Sequence, residues 1–304
     1  VASRVTDEVT IKMNRAGQGF FWIGGPGEEA FGAVLGFLGK KGQGPDYDYW
    51  HLHYRCNPTV IAMGADPIDT LRQMRGAQTD PYSGGRNFVN HYAIPKWNII
   101  PVVPTIETQY AVAPGTAWVQ KRHGGDGITI VTGGDAGTAE GDFATCLNWS
   151  TIPGRELPLL ITITHNKFGI STSSETIQSS DNLAKRAEGY DMPWMVIDGN
   201  DVLACWEKIG EAMHYCRTER KPFCLQANVS RLHGHSSASG ANRVGDEIDP
   251  IERFEAHLIE ERLMTQADCD AVWSKWRDYM NDALKQVLTE PLASDRDRFI
   301  FKED

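Results

Sequence analysis

"GGDAGTAEGDF", residues 133–143, follows the apolar run "GITIVTG" at 127–133; "THNKFGIST", residues 164–172, follows a second run, "LPLLITIT" at 157–164. Both runs are short, continuous and rich in Ile and Thr, as suits parallel strands covered on both faces. A strand at 127–133, a helix from about 139 to 152 and a strand at 157–164 have the length and order of a right-handed βαβ crossover. If the two strands are parallel neighbours, their carboxyl ends share one edge of the sheet, where ligands of open α/β sheets bind. Asp135 follows the first strand and Asn166 the second. Gly133 and Gly134 allow a tight turn before Asp135, and the N–H groups of Ala136 and Gly137 would open the next helix toward an anion. A carboxylate, an amide oxygen, a backbone carbonyl and phosphate oxygens are ligands that Mg²⁺ or Ca²⁺ prefers. The pair therefore reads as a metal-bridged diphosphate site, or else as an ordinary βα turn with Asp135 as a cap and Asn166 as a turn residue. A dinucleotide fingerprint is absent: the stretch is G-G-D-A-G, not G-x-G-x-x-G, with an acid where pyrophosphate would approach.

The rest of the chain fits that reading. Strand patterns at 191–199 and 222–230 flank a helix pattern at 201–219, so strands alternate with helices. This predicts an α/β fold with a mostly parallel sheet and helices on both faces. Residues 1–16 read as a helical arm, 19–39 as a turn and a helix with Glu28 and Glu29 in its first turn, and 66–74 as a short helix. Residues 106–122 read as a buried helix of small residues, and the chain from about 249 as a charged helical tail. We expect one α/β unit over 1–304. The net charge of −10 argues against nucleic acid, which selects clustered Lys and Arg. No apolar run approaches the roughly 18 residues of a membrane span, and the first residues lack a signal-peptide core. Six scattered cysteines without a CxxC pair fit reduced thiols rather than a disulfide frame or zinc site. We expect no nucleic-acid or membrane partner.

"GDAGTAEGDFATCLNWS", "LPLLITITHNKFGISTS", "VIDGNDV" and "SRLHGHSS" occur in this order, after "GPGEEAF", "HYRC" and "NHYAI". Together they resemble the α subunit of the thiamin-diphosphate-dependent 2-oxo acid dehydrogenases, the decarboxylating first component of those complexes. The resemblance runs from about residue 5 to about residue 285. It implies the diphosphate-binding half of a thiamin-diphosphate-binding fold. It implies a metal, Mg²⁺ with Ca²⁺ or Mn²⁺ as substitutes, on Asp135, Asn166 and the carbonyl of Phe168. Diphosphate contacts fall on Tyr54, Arg55, Arg231 and His235, with the Ala136 and Gly137 amides. A second histidine near the reacting centre falls on His91, and the apolar prop for a bent cofactor on Ile106. The chain departs from the family's G-D-G or G-E-G at Ala136, which a helix-opening amide tolerates, and from its frequent Tyr at Phe168, where only the carbonyl is needed. A potassium site of some members would fall on "PTIETQ", 104–109, which retains Thr108 and Gln109 but lacks the upstream serines.

The resemblance also implies oxidative decarboxylation of a 2-oxo acid, with the acyl group passed to a lipoyl group. Histidine near its ordinary pKa suits the proton transfers of that step; hence His235 and His91 are the catalytic candidates, with loop residues as the alternative role. His51, His53 and His165 carry no assignment. "HGHS", 233–236, lacks the further ligands of a zinc site. "HSSASGANRVGDE", 235–247, suits a loop at the site's mouth, where some members carry regulatory phosphoserines, so Ser236 is compatible with modification. The glutamate that activates the aminopyrimidine comes from a β subunit in this family, which implies two α and two β chains and a lipoyl acyltransferase partner. The N-terminal part is short for the family, as though residues had been removed. The expected location is cytoplasmic, of bacterial type, or the mitochondrial matrix, not secreted. Pyruvate, acetoin and branched-chain 2-oxo acids are all open as substrates; Phe21 and Trp22 as apolar pocket residues favour the branched-chain type. An acetoin dehydrogenase α subunit and a non-catalytic thiamin-diphosphate-binding partner are the alternative readings.

Overall fold

The computed structural model describes residues 1–294. The chain opens with helices α1 (Ala2–Arg15) and α2 (Glu29–Leu38), passes through strand β1 (Tyr49–His51), and continues in α3 (Asn57–Ala62) and α4 (Ile68–Arg75). From α5 (Thr108–His123) onward strand and helix alternate: β2 (Thr129–Gly134), α6 (Gly141–Ser150) and β3 (Leu159–His165). A small hairpin of β4 (Phe168–Gly169) and β5 (Thr172–Ser173) follows, then β6 (Trp194–Asp198), α7 (Val202–Glu219) and β7 (Phe223–Asn228). The chain ends, as far as it is described, in α8 (Pro250–Glu260) and α9 (Gln266–Thr289).

Five strands form one parallel sheet in the order β1-β2-β3-β7-β6. The apolar runs of β2 and β3 are buried along their whole length, and alternation sends successive side chains to opposite faces. Ile130, Leu160 and Leu225 pack beneath Phe31 and Leu35 of α2 and Ile209 and Met213 of α7. Val131, Ile161 and Ile163 pack beneath Tyr110 and Ala113 of α5 and Phe143 and Leu147 of α6. Each such buried aliphatic side chain contributes about 1.5–3 kcal/mol. A third cluster joins α1, α4 and α9 through Val5, Val9, Leu71, Met74 and Met280.

The expected parallel α/β architecture is present, with helices on both faces of the sheet. The sequence reading contains neither α3 nor the β4–β5 hairpin, and three further elements differ from it. Strand β1 escaped it because three residues, Tyr49–His51, are too few to show a period. The expected helix at 139–152 is two pieces, a 3₁₀ turn over Ala136–Ala139 and α6 from Gly141. Helix α5 buries only one face: Tyr110, Ala113 and Ala117 are covered, whereas Val112, Trp118 and Val119 are exposed. Among the described residues, no helix is long and apolar enough to cross a membrane.

One buried ion pair fixes the edge strand to the helix layer. Asp48, fully buried just before β1, accepts from the backbone N–H groups of Lys40 (2.6 Å) and Ile128 (3.0 Å) and from both terminal nitrogens of Arg217 on α7 (2.7 and 2.6 Å). Removing the cation alone strands the carboxylate in the interior, a loss of about 3–5 kcal/mol. Arg217→Met should therefore lower the unfolding free energy by that amount, read as a lower urea midpoint at unchanged slope. Adding Asp48→Asn should recover part of the loss. A loss below about 1 kcal/mol, the scale of a surface pair, would show that the pair does not anchor β1.

Candidate functional site

Parallel pairing brings the carboxyl ends of β1, β2, β3 and β7 to one edge. Gly134 lies opposite Thr164, and His165 opposite Asn228. The residues that leave the sheet there are His53, Tyr54 and Arg55 after β1, Asp135 after β2, Asn166 after β3, and Arg231 after β7.

Asp135 is 1% exposed. Its Oδ1 accepts the N–H of Ala136 (2.8 Å), and its Oδ2 lies 2.9 Å from Nδ1 of His165. Its carbonyl accepts from the Gln178 side chain at 2.7 Å. Each carboxylate oxygen keeps a further lone pair. Asn166 turns its Oδ1 back to the N–H of Phe168 (3.1 Å), within a turn where Lys167 and Ile170 take left-handed φ of 66° and 56°. This turn carries Phe168 onto the β4–β5 hairpin, where the Arg231 guanidinium sits 5.1 Å from its ring centre. Such stacking fixes the plane of a guanidinium.

Arg55 is the buried cation of the site. Its Nε is 2.7 Å from Oε1 of Glu28, and one terminal nitrogen donates to the Tyr54 hydroxyl at 3.0 Å. A Cβ at Gly134 would lie 2.5 Å from the other terminal nitrogen, so glycine there admits the guanidinium. Burial, followed by repulsion from Arg55, lowers the pKa of Arg231. Both guanidiniums line one narrow cleft, where an anion would relieve their repulsion.

The aromatic residues form one group. The Tyr54 ring lies 3.8 Å from His53, 6.4 Å from His91 in stacked geometry, and 5.9 Å from His235 edge-on. Nδ1 of His91 lies 3.0 Å from the Val89 carbonyl, which can only accept; with that nitrogen donating, Nε2 of a neutral ring is an acceptor. Burial lowers the His91 pKa and pulls that of His235 down to about 4, with Arg55 and then Arg231 adding repulsion. The near-neutral histidine expected at 235 is thus a neutral imidazole in the ligand-free chain.

A cavity of about 290 Å³ joins these groups. His53, Tyr54, Arg55, Ile106, Asp135, Ala136, Gly137, Phe168 and His235 all line it. A narrow cleft continues from it past Glu28, Arg55, Asn166, Arg231 and His235. Larger hollows lie elsewhere, including an apolar groove of about 780 Å³ along α2 and α7, but the convergent buried charges are here. Of the expected site residues, His91 lines neither space and reaches the group through Tyr54; Phe21 and Trp22, expected as pocket residues, line neither, Phe21 facing a separate hollow and Trp22 being buried in the core with its indole N–H donating to Asp7. The Ala136 amide is engaged by the Asp135 carboxylate rather than open to an incoming anion.

The sequence reading left out four residues of this site. Glu28 was read only as a helix-dipole acid. It is buried at the start of α2, facing Arg55, with Thr164 and Asn166 as hydrogen-bond neighbours. His165 supports Asp135, and its Nε2 is buried without a hydrogen bond, 3.7 Å from Asp181. His53 lies against Tyr54 in a tilted contact, and Glu107 lines the cavity beside Gly134. The available signal for three of them was adjacency: His53, Glu107 and His165 adjoin Tyr54, Ile106 and Asn166.

Residues 1–294 match the dehydrogenase E1 component family. The chain is 27% identical over 300 residues to the 2-oxoisovalerate dehydrogenase subunit alpha of Bacillus subtilis, covering 96% of this chain and 89% of that protein. It is 30% identical over 298 residues to the 3-methyl-2-oxobutanoate dehydrogenase subunit alpha of Mycobacterium tuberculosis, covering 93% and 77%. With the mitochondrial 2-oxoisovalerate dehydrogenase subunit alpha 1 of Arabidopsis thaliana it shares 26%, spanning 94% of this chain and 62% of that protein.

The His235 environment has a testable consequence. A histidine whose folded pKa lies below its unfolded value of about 6.5 contributes stability that is present above that pH and is lost as pH falls toward 4. In the ligand-free chain, the His235 ring resonances should stay those of a neutral imidazole from about pH 7.5 to 5.5 and move only near pH 4. A midpoint near 6.5 would contradict the buried, cation-flanked setting.

Proposed function

The chain belongs to the dehydrogenase E1 component family, and from that premise we propose that it is the α subunit of a 2-oxo acid dehydrogenase of the branched-chain type. It would act with thiamin diphosphate, a divalent metal, a β subunit and a lipoyl acyltransferase. The observation that carries this reading is the convergence of Asp135, Asn166, Arg55 and Arg231 at one edge of the sheet, around a cavity lined by Ile106 and His235. The relatives named for 2-oxoisovalerate and 3-methyl-2-oxobutanoate support the branched-chain substrate. They do not favour the acetoin reading, and the intact polar set speaks against a non-catalytic partner.

The donor set suits the group. Asp135, Asn166 and the Phe168 carbonyl are oxygen donors of the kind Mg²⁺ takes, and two guanidiniums crowded together accept a diphosphate. When bound, thiamin diphosphate supplies a carbon nucleophile for the 2-oxo carbonyl and a sink for the electrons left as CO₂ departs. The protein's own residues do the rest. Asp135 and Asn166 would hold the metal, with His165 fixing the orientation of the Asp135 carboxylate. Arg55 and Arg231 would offset the phosphate charge, and Ile106 would give the cofactor an apolar support. A bound diphosphate would offset the Arg55 and Arg231 charges that repel a protonated His235, so that its ring could accept the proton from the substrate's hydroxyl oxygen and give it to the sulfur released when the lipoyl disulfide opens. Nε2 of His91 is a second acceptor. A potassium ion on the 104–109 loop stays outside this proposal, because the buried acid of that loop, Glu107, is already engaged by Gly134 and Gln109.

A β chain is expected on two grounds. The family places the activating glutamate there, and α5 and α6 leave Val112, Trp118, Val119 and Trp149 exposed, an apolar set of the kind interfaces cover.

The decisive experiment co-expresses the chain with a β-type chain and measures decarboxylation of 3-methyl-2-oxobutanoate. Activity should need both chains, thiamin diphosphate and Mg²⁺. Asp135→Ala should weaken cofactor and metal together in calorimetry, and unchanged affinity would sink the metal assignment. His235→Ala should keep measurable cofactor binding while lowering turnover by roughly 10²–10⁴. Comparing an artificial electron acceptor with a lipoyl domain locates the loss, and wild-type rates in both would reduce His235 to a loop residue.

A further inference from the structure

We infer that Glu107 is a positioning residue for the cofactor cradle: its buried carboxylate ties the 104–109 loop to the turn that carries Asp135. The inference rests on the cofactor reading above and adds to it a residue to which the sequence assigned no role.

The backbone marks Glu107 first. It takes φ 63°, ψ 8°, the left-handed region, without being glycine. A residue in that region persists only where its surroundings hold it. The side chain shows what holds it. Glu107 is 2% exposed, and burial pushes its carboxyl up to about 8. Oε1 accepts the N–H of Gly134 at 3.1 Å. Oε2 accepts from Nε2 of Gln109 at 2.9 Å, and the same nitrogen donates to the Thr132 carbonyl at 3.0 Å. The start of α5 is thus stapled to the last residues of β2, immediately before Asp135.

The turn is shaped to receive this carboxylate. A Cβ at Gly133 would overlap Oε2 of Glu107, and one at Gly137 would overlap Oε1. The neighbouring position tolerates a methyl group: the Ala136 Cβ faces the β4–β5 hairpin, where a Cβ added at Gly169 would meet it at 2.6 Å. The order Asp-Ala-Gly at 135–137 follows from these two facings, with alanine toward the hairpin and glycine toward Glu107. The residue before Glu107, Ile106, is 49% exposed and lines the same cavity. The left-handed turn at Glu107 therefore sets both walls, the apolar prop and the Asp135 turn.

The test uses the assembled α/β enzyme with Mg²⁺ and reads thiamin diphosphate affinity by calorimetry, together with hydrogen exchange of residues 132–137 without cofactor. Glu107→Ala should weaken affinity about tenfold, the scale of leaving one buried amide without its hydrogen-bond partner, and speed exchange at Gly134. Glu107→Gln keeps an acceptor for Gly134 and should recover most of the affinity. Gly137→Ala should weaken binding alone. In the Glu107→Ala background it should cost less, because the methyl group enters the space the carboxylate left. Wild-type affinity in Glu107→Ala, a glutamine as weak as the alanine, or strictly additive effects in the double variant would overturn the inference. Failure of the broader reading looks different: the unaltered enzyme would not bind thiamin diphosphate, while faster exchange at Gly134 in Glu107→Ala would still report the staple.

Discussion

The backbone hydrogen bonds that run β2 and β3 side by side, with Gly133 opposite Ile163 and Gly134 opposite Thr164, fix where both chains leave the sheet, and the chemistry of the site follows from that exit. A one-residue slip of either strand would turn its side chains to the opposite face. It would carry Val131 or Ile163 out of the layer into which it packs and move Asp135 away from His165. The two-sided burial of these strands therefore protects a distance between polar groups as well as an apolar core. The same pairing extends through β7, so that Arg231 leaves the sheet on the edge that carries Asn166.

Such an edge gathers charge in a place poor in water. Arg55, Glu28, Asp135, Glu107 and His165 are all buried within a short span of the strand ends. A buried charged or polar group is costly unless its partners are well placed, and here each has one: Glu28 for Arg55, His165 and the Ala136 amide for Asp135, the Gly134 amide for Glu107. The N-terminal helix extends this order outward. Arg4 on α1 binds Glu29 at the start of α2 and Asp249 at the end of the 231–249 loop, all three buried. Arg15 reaches the Ala241 carbonyl in the same loop, and Trp22 exchanges hydrogen bonds with Ser237. The loop that bears His235 is thereby held at several points, although its composition alone suggested only a small, polar, mobile segment.

These features separate what a sequence reveals from what it hides. The βαβ unit was legible because short, continuous Ile- and Thr-rich runs bounded by turn residues suit strands covered on both faces and little else. Asp135 and Asn166 were legible because they follow such runs directly. The helices at 2–15 and 202–219 were legible from their periods. Strand β1 was not, since its three residues show no period and are held as a strand by partners distant in sequence, β2 on one side and Ile99 on the other. Glu28, His165 and Glu107 were misread or passed over for a different reason. Their roles depend on partners about 30 positions away, Glu28 with Arg55, Glu107 with Gly134 and His165 with Asp135, and no local pattern encodes such a meeting. Ala136 stood out as a departure from the usual motif, and what accommodates it likewise lies in a residue distant in sequence, Gly169.

The exposed half of α5 is tied to the same turn. Its covered face, Tyr110 and Ala113, packs on the sheet, and the Tyr110 hydroxyl donates to the Thr162 carbonyl at 2.8 Å. Its open face presents Val112, Trp118 and Val119, and α6 adds the exposed Trp149. The helix that receives the Glu107 staple at its first turn is thus the helix whose other side is left apolar to solvent. A partner seated there would press on an element tied directly to the Asp135 turn and to Ile106. Assembly and cofactor binding would then be linked through one rigid helix, because a shift of α5 that changes the interface also moves the walls of the cavity.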